Sequence, residues 1–131
     1  MKFIIAIVVI IGAAAGLILL SPKASTSSNT PSLSIQTIRN DVTKGAQLID
    51  VRTPEEYITG HIDGATNMSL QDMQAGTLPA VAKTTKIYVY CHSGNRSSQA
   101  TAILKSAGFT QVTDLGAMTH VESLGGTIVK S

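Results

Sequence analysis

The sequence holds a single cysteine, Cys91, among 131 residues, and no tryptophan at all. One thiol excludes an intramolecular disulfide and any metal site built on several thiolates. The three histidines, His61, His92 and His120, are scattered. No carboxylate stands at ligand spacing from them, so no metal site is expected. Charge is sparse as well: Asp, Glu, Lys and Arg make up 14% of the chain, and the formal net charge is +2. Lys2 and Lys23 flank an N-terminal apolar stretch, and taking them from the ten basic residues leaves eight from Leu33 onward, against eight acidic ones. That part of the chain is therefore neutral, which excludes the basic footprint of a nucleic-acid binder. There is no internal repeat, and no motif calls for a bound cofactor.

What the sequence does have is a long apolar run. Phe3 to Leu20 is eighteen residues without a polar side chain. As a helix it would span about 27 Å, close to the hydrocarbon thickness of a bilayer. A buried core helix does not fit so uniform a segment. A cleaved signal peptide and an uncleaved signal anchor both do. The run exceeds the usual signal-peptide core of about 7–15 residues, which favours the anchor. Pro22 also spoils a cleavage site near Ala24. Lys2 before the run and Lys23 after it give a small bias toward an inside N-terminus and an exported C-terminal domain. The expected organisation is therefore an apolar segment over residues 1–20, a Ser/Thr/Pro-rich flexible tether over 21–32, and one folded domain over 33–131. The expected location is a membrane-anchored or exported one, with the domain on the periplasmic or extracellular side.

Within the domain, helical and strand patterns alternate. Ser34 can cap a helix running to about Lys44, with Ile35, Ile38 and Val42 on one face and Gly45 after its end. Gln47 to Val51 reads as a short buried strand. Thr53-Pro54-Glu55-Glu56 is a capping box with Pro at the first helical position, opening a brief helix that stops at Gly60. A weak strand over Ala65–Met68 and a short helix from Leu70 to about Ala75 follow. Lys86 to Tyr90 is the clearest strand, a near-continuous apolar run suited to burial on both faces. A helix is expected over Ser97–Ala107, a strand over Val112–Leu115 and a last helix over roughly Met118–Leu124. The alternation predicts an α/β domain with a mostly parallel sheet and helices on both faces.

In open parallel sheets, ligands bind at the carboxyl ends of the strands. The clearest strand ends at Cys91, which opens the polar loop His92-Ser93-Gly94-Asn95-Arg96. A lone cysteine is more often a small buried hydrophobe than a reagent. This one sits where backbone N–H groups of the loop can turn inward as an anion nest, and where the following helix points its positive end. Arg96 adds a cation, and Gly94 suits a loop that must visit positive φ. Each of these favours the thiolate, the nucleophilic form. A metal-free, thiolate-based site is the expectation.

Four segments, in order, resemble the single-domain rhodaneses. They are Leu48-Ile49-Asp50-Val51-Arg52, then Glu55-Glu56-Tyr57, then Gly60-His61-Ile62-Asp63-Gly64-Ala65-Thr66-Asn67, and then Tyr90-Cys91-His92-Ser93-Gly94-Asn95-Arg96-Ser97. The resemblance implies the rhodanese-like α/β fold and a sulfurtransferase activity. A sulfane sulfur would pass from a donor such as thiosulfate to Cys91, the catalytic position, and then to a thiol or cyanide acceptor. The residues from His92 to Arg96 would form the substrate cradle. Asp50, Arg52 and His61 would brace the loops around it. Loop length separates two related chemistries. Rhodanese-like phosphatases carry five residues between Cys and Arg, which opens a cradle wide enough for phosphate. Here four residues intervene, which suits sulfur rather than phosphoryl or arsenate chemistry. The alternative is a sulfur-carrying or redox-sensing module with little turnover. Two positions depart from the family pattern. Asp63 stands where Pro is usual, and Gly116-Ala117 followed by His120-Val121 stands where Gly-Gly and then Trp are usual.

Overall fold

The computed structural model describes residues 32–131; the expected N-terminal span and all but the last residue of the tether lie outside the described residues. Among the described residues no helix is long and apolar enough to cross a membrane. In chain order the elements are α1 (Ile35–Thr43), β1 (Gln47–Asp50), α2 (Pro54–Thr59), β2 (His61–Ile62), β3 (Thr66–Asn67), α3 (Leu70–Gln74), β4 (Ile87–Cys91), α4 (Asn95–Ser106), β5 (Val112–Ala117), α5 (Met118–Ser123) and β6 (Ile128–Val129). The central sheet has the order β3-β1-β4-β5, and each of its pairings is parallel.

Side-chain alternation along the two inner strands divides the core into two layers. From β1 and the residue after it, Leu48 enters one layer while Ile49 and Val51 enter the other. From β4, Tyr88 and Tyr90 go to the first layer, and Ile87, Val89 and Cys91 to the second. The first layer is covered by α1 through Ile35 and Ile38 and by α5 through Val121. The second is covered by α3 through Leu70 and Met73, and by α4 through Ala100 and Leu104. All five residues of β4 are buried, so the near-continuous apolar run of this strand follows from its having helices on both sides. The last helix docks without tryptophan, through the fully buried Val121.

Local signals account for most boundaries. The Ser34 hydroxyl accepts from the Thr37 amide at 3.3 Å and starts α1. The capping box of α2 is complete: Thr53 Oγ1 accepts from Glu56 N, and Glu56 Oε2 accepts from Thr53 N. Two features differ from the sequence expectation. First, α4 begins at Asn95 rather than Ser97, with Gly94 as its N-cap. Second, His61–Ile62 and Ile128–Val129 form a separate antiparallel pair. Strands of two residues are too short to show a period in sequence. Gly60 admits this pair, because a Cβ there would lie 3.0 Å from Ile128 Cγ2.

A polar cluster joins these parts at the carboxyl end of β1. The Asp50 side chain is fully buried. Its oxygens accept from the backbone N, Nε and Nη2 of Arg52 and from the Tyr90 hydroxyl. Arg52 Nη2 continues to the Gly60 carbonyl, and Tyr90 Oη accepts from the Ile62 amide at 2.9 Å. Burial, then the Asp50 charge, push the Tyr90 phenol far above its ordinary range, so it keeps the proton it donates. Asp50→Ala would strand the Arg52 charge in the interior. The expected loss is about 3–5 kcal/mol of unfolding free energy, read from urea melts. A loss under about 1 kcal/mol would show that the cluster does not hold the fold.

Candidate active site

Cys91 ends β4 and is fully buried. Its neighbours His92, Ser93 and Asn95 are exposed, while Gly94 and Arg96 are partly so. The turn out of the strand is sharp because Gly94 takes φ +98°, a conformation that L side chains rarely adopt. The Gly94 amide thereby points back at Cys91 Sγ, 3.0 Å away. Burial alone would push the thiol pKa up. Hydrogen bonds from the Ser97 hydroxyl, the Ser97 amide and the Gly94 and Ser93 amides outweigh it and leave the pKa lowered. In the resting loop the Ser97 hydroxyl donates to Gly94 O at 3.0 Å.

The start of α4 explains why these amides are available. A helix leaves its first N–H groups without intrahelical partners, and a capping side chain usually accepts one of them. Gly94 has no side chain to do so. The Cys91 sulfur takes that place, accepting from the amide of the cap residue itself at 3.0 Å. The sequence pattern starts the helix at Ser97, whereas Ser97 is its third residue, buried behind the loop. Reading Gly94 as the cap would have put Ser97 at the third helical position, where a free amide is expected.

The loop is also fixed from the β5 side. The pairing of β4 with β5 shifts register after Val89, so that Tyr90 faces Gly116 and Leu115 is skipped. Asp114 Oδ1 holds the kink by accepting from the Gly116 amide at 2.8 Å. Bulges re-aim a strand end, and this one brings Ala117 opposite Ser93 in an isolated bridge. The Gly116-Ala117 backbone then lies against Gly94.

Arg96 does not sit as the sequence predicts. It belongs to the first turn of α4 and makes a bidentate pair with Glu56, Nη1 to Oε2 at 2.6 Å and Nη2 to Oε1 at 3.0 Å. The hydrogen bond from Arg96, acting against burial, takes the Glu56 carboxyl down to about 2. Glu56 is thus a site residue that sequence reading missed. Its role in the capping box was a sufficient explanation of its identity, and the other half of its work comes from a residue forty positions away.

The remaining predicted residues lie around this loop rather than on the sulfur. Asp50 and Arg52 form the buried pair at the end of β1, next to β4 in the sheet. His61 Nδ1 lies 2.9 Å from the Tyr57 carbonyl, and its ring stacks on Tyr57 with centroids 3.7 Å apart. Its contacts are thus with the α2–β2 segment. His92 is exposed on the rim. Among the described residues, no group of three or more His, Cys, Asp or Glu side chains could hold a metal ion.

Residues 34–118 match the Rhodanese-like domain profile. The chain belongs to the rhodanese-like family. Thiosulfate sulfurtransferase PspE of Escherichia coli (strain K12) is 39% identical over 79 residues, 60% of this chain and 67% of that protein. Thiosulfate sulfurtransferase 16, chloroplastic, of Arabidopsis thaliana is 35% identical over 100 residues, covering 67% of this chain and 83% of that one. Among solved structures, a "rhodanese with anions from E. coli" superposes with a TM-score of 0.58 at 34% identity, over 66% of this chain and 99% of that one. The α/β sheet and the strand-loop-helix around Cys91 are thus those of a rhodanese-like domain, and sulfur transfer is the chemistry of its named relatives.

The cradle generates a pH prediction. Because hydrogen bonds depress the Cys91 pKa, the thiolate persists to lower pH than an ordinary thiol. Alkylation by iodoacetamide should show a midpoint below the ordinary thiol range. Gly94→Ala disfavours φ +98° and displaces the amide, so its midpoint should move up. A profile unaltered by that substitution would remove the loop amide from thiolate stabilisation.

Proposed function

We propose that this protein is a sulfurtransferase in which Cys91 carries a sulfane sulfur as a persulfide. The observation that carries this reading is the Gly94 amide 3.0 Å from Cys91 Sγ, in a loop with four residues between Cys91 and Arg96. In the first half-reaction the Cys91 thiolate attacks the outer sulfur of a donor such as thiosulfate. A new S–S bond forms at Cys91, the donor's S–S bond breaks, and sulfite leaves with the electron pair. The amides of Ser93, Gly94 and Ser97 stabilise the anionic sulfur on the enzyme. In the second half-reaction an acceptor thiolate or cyanide attacks the outer sulfur, and Cys91 departs as the thiolate that began the cycle.

Total burial of Cys91 adds a constraint. Its side chain is closed off from solvent in this structure, so a larger donor reaches the sulfur only when neighbouring groups move. This favours the second reading, a sulfur carrier with slow turnover, only if that movement is rare. Both readings share the persulfide. Mass spectrometry after incubation with thiosulfate should show a gain of about 32 Da, absent from Cys91→Ser. No gain with thiosulfate or with an organic persulfide, with the thiol still free, would sink both.

The apolar run Phe3–Leu20 and the tether after it support a membrane-anchored protein with the sulfur-transfer domain outside the cytoplasm. The full chain should then sediment with membranes, resist extraction by alkaline carbonate, and be digested by protease added from the outer side. Recovery of the intact full-length chain in the soluble cytoplasmic fraction would overturn the location.

A further inference from the structure

The Glu56–Arg96 pair borders the cradle without donating to its sulfur. Arg96 follows Asn95 and precedes Ser97, whose amide and hydroxyl act on Cys91. Both of its terminal nitrogens are committed to Glu56. Glu56 is itself fixed by the Thr53 amide at 3.0 Å, so the carboxylate cannot swing away without breaking its half of the capping box. The other guanidinium at this end of the sheet, Arg52, is bound to Asp50 in the interior. Each arginine that the strand ends bring to this region is therefore matched by a carboxylate.

This matters for what the cradle can hold. Backbone amides present dipoles, not a net charge, and the hydration an anion loses on entering grows steeply with its charge. A full cation nearby offsets more of that loss for a dianion than for a monoanion. Here it meets a neutral ion pair, one half of which repels it. A monoanion asks less. We propose that Glu56 is a specificity-determining residue that neutralises Arg96 and so tilts the site toward sulfur donors of low negative charge, such as organic thiosulfonates or persulfides, and away from dianions. The proposal rests on the sulfur-transfer reading above. With a thiosulfonate, the Cys91 thiolate takes the outer sulfur, the donor S–S bond breaks, and a sulfinate leaves with the electron pair.

The test compares two donors that differ in charge but offer the same outer sulfur: thiosulfate, a dianion, and methanethiosulfonate, a monoanion. Rates of persulfide formation on the full chain in detergent are measured for wild type, Glu56→Gln and Arg96→Gln, at low and at high salt. Glutamine at position 56 keeps an acceptor for the Thr53 amide while removing the charge. In Glu56→Gln the thiosulfate-to-thiosulfonate rate ratio should rise about three- to tenfold at low salt. In Arg96→Gln, which leaves the carboxylate unmatched, it should fall by a similar factor. Both changes should fade near 1 M salt, because the pair is partly exposed, with 29% of the Arg96 and 37% of the Glu56 side chain accessible. A purely structural role would slow both donors together and leave the ratio alone. An unchanged ratio, or the same direction in both variants, overturns the proposal while sulfur transfer stands. A wild-type chain that accepts sulfur from neither donor overturns both.

Discussion

The Asp50 carboxylate, fully buried at the end of β1, is the interaction on which the geometry of the sheet's carboxyl end depends. A buried charge is tolerated only when its partners replace the lost water. Those partners come from several places: Arg52 just beyond the strand, Tyr90 on the neighbouring strand and, through them, the Gly60 carbonyl and the Ile62 amide. Satisfying one carboxylate thus fixes β1 against β4 and anchors the α2–β2 segment to both. Cys91 is the residue after Tyr90, so its position inherits that register. Glu56 lies on the helix this cluster anchors, and reaches Arg96 from there. The polar cluster and the thiol consequently face opposite layers of the same strand end, Tyr90 to one and Cys91 to the other.

The sulfur sits in a compromise between two effects of opposite sign. Packing in the second core layer disfavours a thiolate, and the turn of amides over it favours one; the second effect wins. The bulge in β5 and the positive φ of Gly94 are the backbone features that make the turn tight enough for this. Arg96, by contrast, directs its charge at Glu56. The site is therefore built on dipoles and short-range hydrogen bonds more than on net charge.

How much of this was legible in sequence follows from the range of each signal. The short apolar runs Gln47–Val51 and Lys86–Tyr90, the capping box at Thr53–Glu56 and the Ser34 cap are local, and the elements they imply are present. The importance of the loop after β4 could be read from its place at a strand end and from family resemblance. What was not legible involves distance or competition between signals. Gly94 has no side chain to mark it as a cap, and the cap is completed by a sulfur instead. The pairing of His61–Ile62 with Ile128–Val129 and of Glu56 with Arg96 joins segments far apart in the chain, and no local pattern encodes either. The docking of α5 rests on Val121, a small branched side chain buried in the first layer.

One feature of α4 reaches beyond catalysis. Its N-terminus borrows the Cys91 sulfur as a cap, so the thiol's ionisation and the helix's free energy are one thermodynamic quantity seen from two sides. The sign is definite. The folded-state pKa lies below that of the unfolded thiol; the added stability is therefore fully present above the unfolded value and is lost as pH falls through the folded one. The same linkage extends to covalent change. Any modification that alters the charge on this sulfur therefore alters how firmly the first turn of α4 is held.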